Sequence, residues 1–137
     1  MRLIAIVAAG SCLIGIARAQ PDKVLYELQE RCGKQAAEVF QKEWGAHVLN
    51  NKDGYTLADY ENHYSPRLNK CFYLEKSNNV SKLKSGATMN TQGLTLYDLN
   101  ENKQYGSFVT GTPGQVQGRD CRSEQEWREL ARPFLEE

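Results

Sequence analysis

His47 and His63 are the two histidines of the chain, so a side-chain base active near neutral pH would come from one of them. His63 stands two positions after Glu61 in the run Tyr60-Glu61-Asn62-His63-Tyr64. On a strand that spacing puts both side chains on one face. The pair could then serve a small hydrolase as acid and base. It could also offer two metal ligands, but a site needs three or four, and the sequence places no third. A surface or hydrogen-bonding histidine is the plainer reading, and no cofactor is expected. His47 has no motif around it. Cys121, close to Arg119 and Arg122 and just before a helix start, is the other reactive candidate. Cations and a helix N-terminus both lower a thiol pKa, so Cys121 with His63 as base is the thiol-enzyme alternative. Against it stand an unpaired structural thiol, an intermolecular disulfide, or a bridge to another cysteine of the chain.

Two acid pairs, Asp59 with Glu61 and Glu124 with Glu126, have the residue types of glycoside chemistry. Glu126 is better explained as a capping residue. The chain has no Gly-x-Ser-x-Gly, phosphate loop or His-Glu-x-x-His. Seven tyrosines are the compositional oddity. Tyrosine serves binding faces well, because it offers an apolar ring and a polar tip. Tyr60, Asn62, His63 and Tyr64 form the candidate binding face. Strands favour tyrosine without any ligand, and Tyr73 and Tyr97 are read that way.

These residues must be positioned by a short list of elements. Asp22 to Trp44 has the helical period: Leu25, Leu28, Cys32, Ala36, Val39 and Phe40 form one stripe, with charged residues opposite. Cys32 therefore points inward. Gly33 sits mid-helix, and Gly45 is a reasonable stop. Residues 45–54 are dense in turn formers and read as a connection. A strand is expected over the second half of Tyr55 to Tyr64, ended by Pro66. Leu68 to Glu75 reads as a stronger strand, apolar on both faces and so central. Cys71 facing the first helix would permit a Cys32–Cys71 bridge. Ser77 to Gly93 is polar and reads as an exposed excursion, with a weak glycosylation pattern at Asn79-Val80-Ser81. Leu94–Leu99 and Gln104–Val109 form a hairpin, followed by a loop from Gly111. Ser123-Glu124-Gln125-Glu126 is a capping box, and Trp127, Leu130, Ala131 and Phe134 follow at helical spacing. Pro133 predicts an end or kink near Ala131-Arg132. The expected fold class is α+β: a four-stranded, mostly antiparallel sheet with a long N-terminal helix and a short C-terminal helix.

The start of the chain looks like an address. Met1-Arg2 is basic, Leu3 to Ile16 is apolar, and Ala17-Arg18-Ala19 has the small-x-small form of a signal-peptidase site. Residues 1–19 are read as a signal peptide and 20–137 as a single exported domain, periplasmic or secreted. The apolar run falls short of the roughly 18 residues that span a bilayer, so no membrane span is expected. Ala9-Gly10-Ser11-Cys12 supports a lesser alternative, a lipid anchor at Cys12. Basic and acidic residues are equal at 17 each. Losing Arg2 and Arg18 with the leader tips the remainder slightly acidic, which argues against nucleic-acid binding. Cys32, Cys71 and Cys121 remain, and an oxidising compartment favours pairing two of them.

Three segments together resemble a group of short exported proteins of Gram-negative bacteria: Tyr26-Glu-Leu-Gln-Glu-Arg-Cys32-Gly, Tyr60-x-Asn-His-Tyr64 and Leu68-Asn-x-Cys71-Phe72. The resemblance covers Tyr26 to Phe72 best, and the hairpin around Asp98 and Gly106 more loosely. It implies an exported protein with Cys32 and Cys71 paired, and it transfers no catalytic residue. The expected role is a binding or envelope-associated structural module with an envelope or extracellular protein partner. The alternatives are a small enzyme using His63 with Glu61 or Cys121, and a secreted enzyme inhibitor whose exposed loop is Ser77 to Gly93.

Overall fold

The computed structural model of the protein describes residues 21–136. The expected signal peptide and Cys12 lie outside the described residues. The first helix, α1, spans Pro21–Glu43. Its apolar stripe buries Cys32, Ala36 and Phe40. The outer side carries exposed Lys23–Glu27 and Glu30–Lys34 pairs one turn apart, which water screens so that they add little. Gly45, at φ +69°, ends the helix, its N–H donating to the Phe40 carbonyl. That left-handed conformation is the common helix stop.

The four-stranded expectation is corrected: the described residues form a single sheet of seven antiparallel strands in sequence order. They are β1 (Val48–Asn51), β2 (Gly54–Ser65), β3 (Lys70–Lys82), β4 (Thr88–Asp98), β5 (Lys103–Val109), β6 (Gly114–Val116) and β7 (Arg119–Cys121). β1 lies inside the stretch read as a connection. Its turn formers do make a turn, with Asn51 Oδ1 accepting the Asp53 N–H at 3.0 Å, but Val48 and Leu49 before them pair with β2. The excursion from Ser77 to Gly93 is the far half of the β3–β4 hairpin, in register from Phe72↔Asp98 to Lys82↔Thr88. It escaped notice because neither of its faces is deeply buried, so no apolar alternation marks it. Backbone pairing and contacts such as Asn79 Nδ2 to Thr56 Oγ1 at 2.9 Å hold it instead. β6 and β7 are too short to show a period. They are joined at Gln117-Gly118, both at positive φ.

The second helix, α2, spans Glu124–Leu135. Ser123 Oγ accepts the Glu126 N–H at 3.2 Å, while Glu126 Oε2 accepts the Arg122 N–H at 2.7 Å. Pro133 lies inside the helix, which runs on to Leu135 rather than ending near Ala131. Phe134 explains why: its ring packs on Phe72 and Tyr105, with centroids 5.2 and 5.3 Å away. Tertiary packing here outweighs the one helix hydrogen bond that proline removes.

The two helices take opposite faces of the sheet. Alternation along β3 puts Phe72 and Leu74 on one face and Cys71 and Tyr73 on the other, all buried. Phe72 and Leu74 join Trp127 and Ala131 of α2 in the larger core. Trp127 Nε1 also donates to the Gln115 carbonyl at 3.1 Å. α2 meets both β2 and β6–β7, so the sheet curves about it. On the other face, Tyr73 packs with Ala36 and Phe40 of α1. A disulfide joins Cys32 to Cys71, with the Cα atoms 5.4 Å apart. It fixes α1 to the start of the central strand.

Candidate functional site

The predicted binding residues divide between the two faces. Tyr60, Asn62 and Tyr64 alternate onto the α1 side. Tyr64 is buried beside the disulfide, and its hydroxyl donates to Asn69 Oδ1 at 2.5 Å. This bond steadies the β2–β3 turn, where Asn69 holds φ +52°. Tyr60 is half-buried among Phe40, Ala58 and Tyr73. Asn62 is exposed, with its Nδ2 3.8 Å from Cys32 Sγ. His63 faces the other way, opposite Phe72. Glu61 shares that face, and its Oε1 accepts a hydrogen bond from Lys76 Nζ at 2.9 Å. Sequence alternation thus separates His63 from the three residues it was grouped with.

His47 has a fixed setting that nothing around it in the sequence announces. Its ring lies against Phe40 with centroids 4.6 Å apart, and Nδ1 is 2.9 Å from the Ala58 carbonyl. Asp59 is 3.8 Å from the same nitrogen. Cys121 is buried on β7 within the larger core. Burial pushes its thiol pKa up, and the charges of Glu126 and Asp120 add to this against one backbone hydrogen bond from Gly114. The thiol is protonated and enclosed, the reverse of an activated nucleophile. Glu124 and Glu126 are engaged at the start of α2, Glu124 by Arg128 at 2.7 Å and Glu126 by the cap. Among the described residues, no three His, Cys, Asp or Glu side chains cluster as metal ligands.

A site that sequence reasoning missed lies farther along the α1 face. Phe40, Tyr60, Tyr73 and Tyr97 form a row of rings from α1 across β2, β3 and β4, with successive centroids 4.9, 5.6 and 6.3 Å apart. α1 covers β2 and β3 but leaves the β4 end of the row uncovered. There a cleft of about 580 Å³ opens, lined by Val39 from α1, Trp44 just after it, Tyr73 and Glu75 from β3, and Tyr97 from β4. Tyr73 has no exposed surface. Its hydroxyl is buried with no hydrogen-bond partner among the described residues, a state that costs about 1–3 kcal/mol. Burial, then the charge of Glu75, pushes the pKa of the Tyr73 and Tyr97 hydroxyls up. Both are therefore neutral phenols at physiological pH, each able to donate and to accept. In the sequence, Tyr73 and Tyr97 look like ordinary sheet tyrosines. Their direct pairing across β3 and β4 is the signal, and it is visible only once the register is known.

A second hollow, of about 640 Å³, lies at the tips of β2 and β3 beside Tyr55 and Val80. Among the described residues it contains no orphaned buried group comparable to the Tyr73 hydroxyl. No helix is long and apolar enough to cross a membrane among the described residues. No protein-family description, curated protein or solved structure matches the chain.

Proposed function

We propose that the protein is an exported binding domain, periplasmic or secreted, that holds a small ligand in the cleft between α1 and β3–β4. One observation carries this reading: the cleft has an aromatic floor in which the Tyr73 hydroxyl is buried without a partner. Small-molecule sites are concave, mostly apolar, and hold a few polar groups that fix orientation. A buried polar atom left unpaired by the fold itself suits that description. The leader pattern of residues 1–19 supports export, as does the Cys32–Cys71 bridge, because disulfides persist in oxidising compartments. The enzyme alternatives have less in their favour. The Cys121 thiol is enclosed, and Glu61 is held by Lys76.

Chemical-shift mapping of the disulfide-intact chain against a small-molecule fragment set tests the cleft. Hits should move the resonances of Val39, Trp44 and Tyr97. Hits confined to the strand tips near Tyr55, or none at all, would overturn the reading. Export is tested separately by expressing the full chain in a Gram-negative host. The expected result is a periplasmic or medium species beginning at Gln20. An uncleaved cytoplasmic species would refute it.

One observation favours a second reading, a protein partner. Val48 and Leu57 are paired across β1 and β2, yet they are 51% and 41% exposed. An apolar pair left in water at this edge of the sheet suits a protein contact. Val48→Ser with Leu57→Ser should abolish capture of an envelope protein while leaving the fold intact. Capture that the double variant does not change would remove this reading.

A further inference from the structure

The charge of the cleft narrows what can occupy it. Glu75 on β3 and Glu43 at the end of α1 both line it, and Lys42 is the lone cation of the lining. Glu75 and Glu43 also act electrostatically on both phenols of the floor, so the negative potential reaches the cleft interior. Low-dielectric walls concentrate such a field.

We propose that the cleft takes a protonated primary or secondary amine carried on an apolar or aromatic body. The inference rests on the binding reading above and specifies the ligand of the same site. An ammonium N–H can donate to the Glu75 and Glu43 carboxylates and to the phenol oxygen of Tyr73. The body of the ligand lies against Trp44, Tyr97 and Val39. A carboxylate ligand is repelled by the two glutamates. A neutral alcohol can satisfy the Tyr73 hydroxyl but leaves two carboxylates losing water with no opposite charge gained. Tyr73 is wholly enclosed, so the amine reaches its hydroxyl only as the side chains over it turn aside.

Three near-isosteric probes test this: phenethylamine, 2-phenylethanol and phenylacetate, each titrated into the disulfide-intact protein and followed by NMR at Trp44 and Tyr97. Phenethylamine should bind at least about tenfold more tightly than either of the others, in keeping with a specific charge contact. Glu75→Gln, nearly isosteric, should weaken phenethylamine about tenfold while the alcohol is unaffected. Glu43→Gln provides the same test on the helix side should the β3 variant fold poorly. If the alcohol or the acid binds the cleft as tightly as the amine, the amine proposal fails and the cleft survives as a binding site. Phenethylamine binding unchanged in both glutamine variants likewise overturns the proposal. If none of the three probes moves the cleft resonances, the amine proposal fails, and the fragment set decides separately whether the cleft binds anything.

Discussion

Asp98 is an acid with no exposed surface, and its burial is compensated atom by atom. Oδ1 accepts the backbone N–H groups of Asn100 and Glu101 at 2.9 and 3.3 Å, and Oδ2 accepts from Lys70 Nζ. Lys70 also donates to Glu101 and to the Tyr105 hydroxyl. The hydrogen bonds to Asp98 and Glu101 push the Lys70 pKa up, so the ammonium stays charged. One carboxylate thereby closes the β4–β5 turn and ties it to β3. Asp98→Ala should cost about 1–3 kcal/mol, the usual loss when buried N–H groups are left without their acceptor. Asp98→Asn, which keeps an acceptor for the turn, should cost less; urea midpoints would rank the two. Asp59 yields a pH prediction. Burial pushes its carboxyl pKa up, but the Lys76 hydrogen bond, the Tyr60 N–H and the charges of Lys76 and His47 outweigh this and hold it below the ordinary range. A depressed acid stabilises the fold fully above its unfolded pKa of about 4 and loses that contribution as pH falls further. Asp59→Asn should therefore lower the melting temperature slightly at pH 7 and flatten its fall below pH 4. Equal acid slopes in the two proteins would contradict this. Neither role was legible in the sequence. Asp98 sits opposite Phe72, and Asp59 opposite Lys76, only because of the strand register.

Glycines separate local preference from tertiary demand at the scale of elements. Gly33 interrupts α1, yet a Cβ there would meet nothing nearer than Asn62 Nδ2 at 3.8 Å. Gly33→Ala should raise stability by up to about 1 kcal/mol, the helix-propensity difference. Gly106 is the opposite case. A Cβ would lie 2.5 Å from the Gln115 carbonyl, beside the register shift between β4 and β5. Gly106→Ala should destabilise by about 1–3 kcal/mol, the range for overpacking. Thermal melts of the two variants should move in opposite directions, and shifts of the same sign would mean the close approach at Gly106 is relieved by movement of β6. The helices were the elements most legible in the sequence, because their stripes are long and face packed cores. The β3–β4 extension and β1 were not. β1 is exposed throughout and the extension is half-buried to exposed on both faces, so burial leaves no period to detect.

At the scale of the molecule, the described residues form a curved antiparallel meander with a helix on each face, stapled by the disulfide. The bridge closes a separation of 39 residues, which restricts the unfolded chain by about 4 kcal/mol in the entropy account. Cys32→Ser with Cys71→Ser should lower stability by up to that amount, read from denaturant midpoints. In the native oxidised protein, Cys121 should resist iodoacetamide until the chain unfolds. Rapid native alkylation would show that β7 opens away from the larger core. Local pattern places the apolar helix stripes with their inward faces and the capped start of α2. Of the strand expected over Leu68 to Glu75, Cys71 to Leu74 are buried on both faces, as their apolar side chains imply. These follow from local periodicity and turn chemistry, which need no partner to be read. The number of strands, the site of Asp98 and the cleft itself follow from long-range packing. Strand pairing is a long-range choice, and a half-exposed strand carries little local sign of it. The row of rings from Phe40 to Tyr97 assembles residues far apart in the chain.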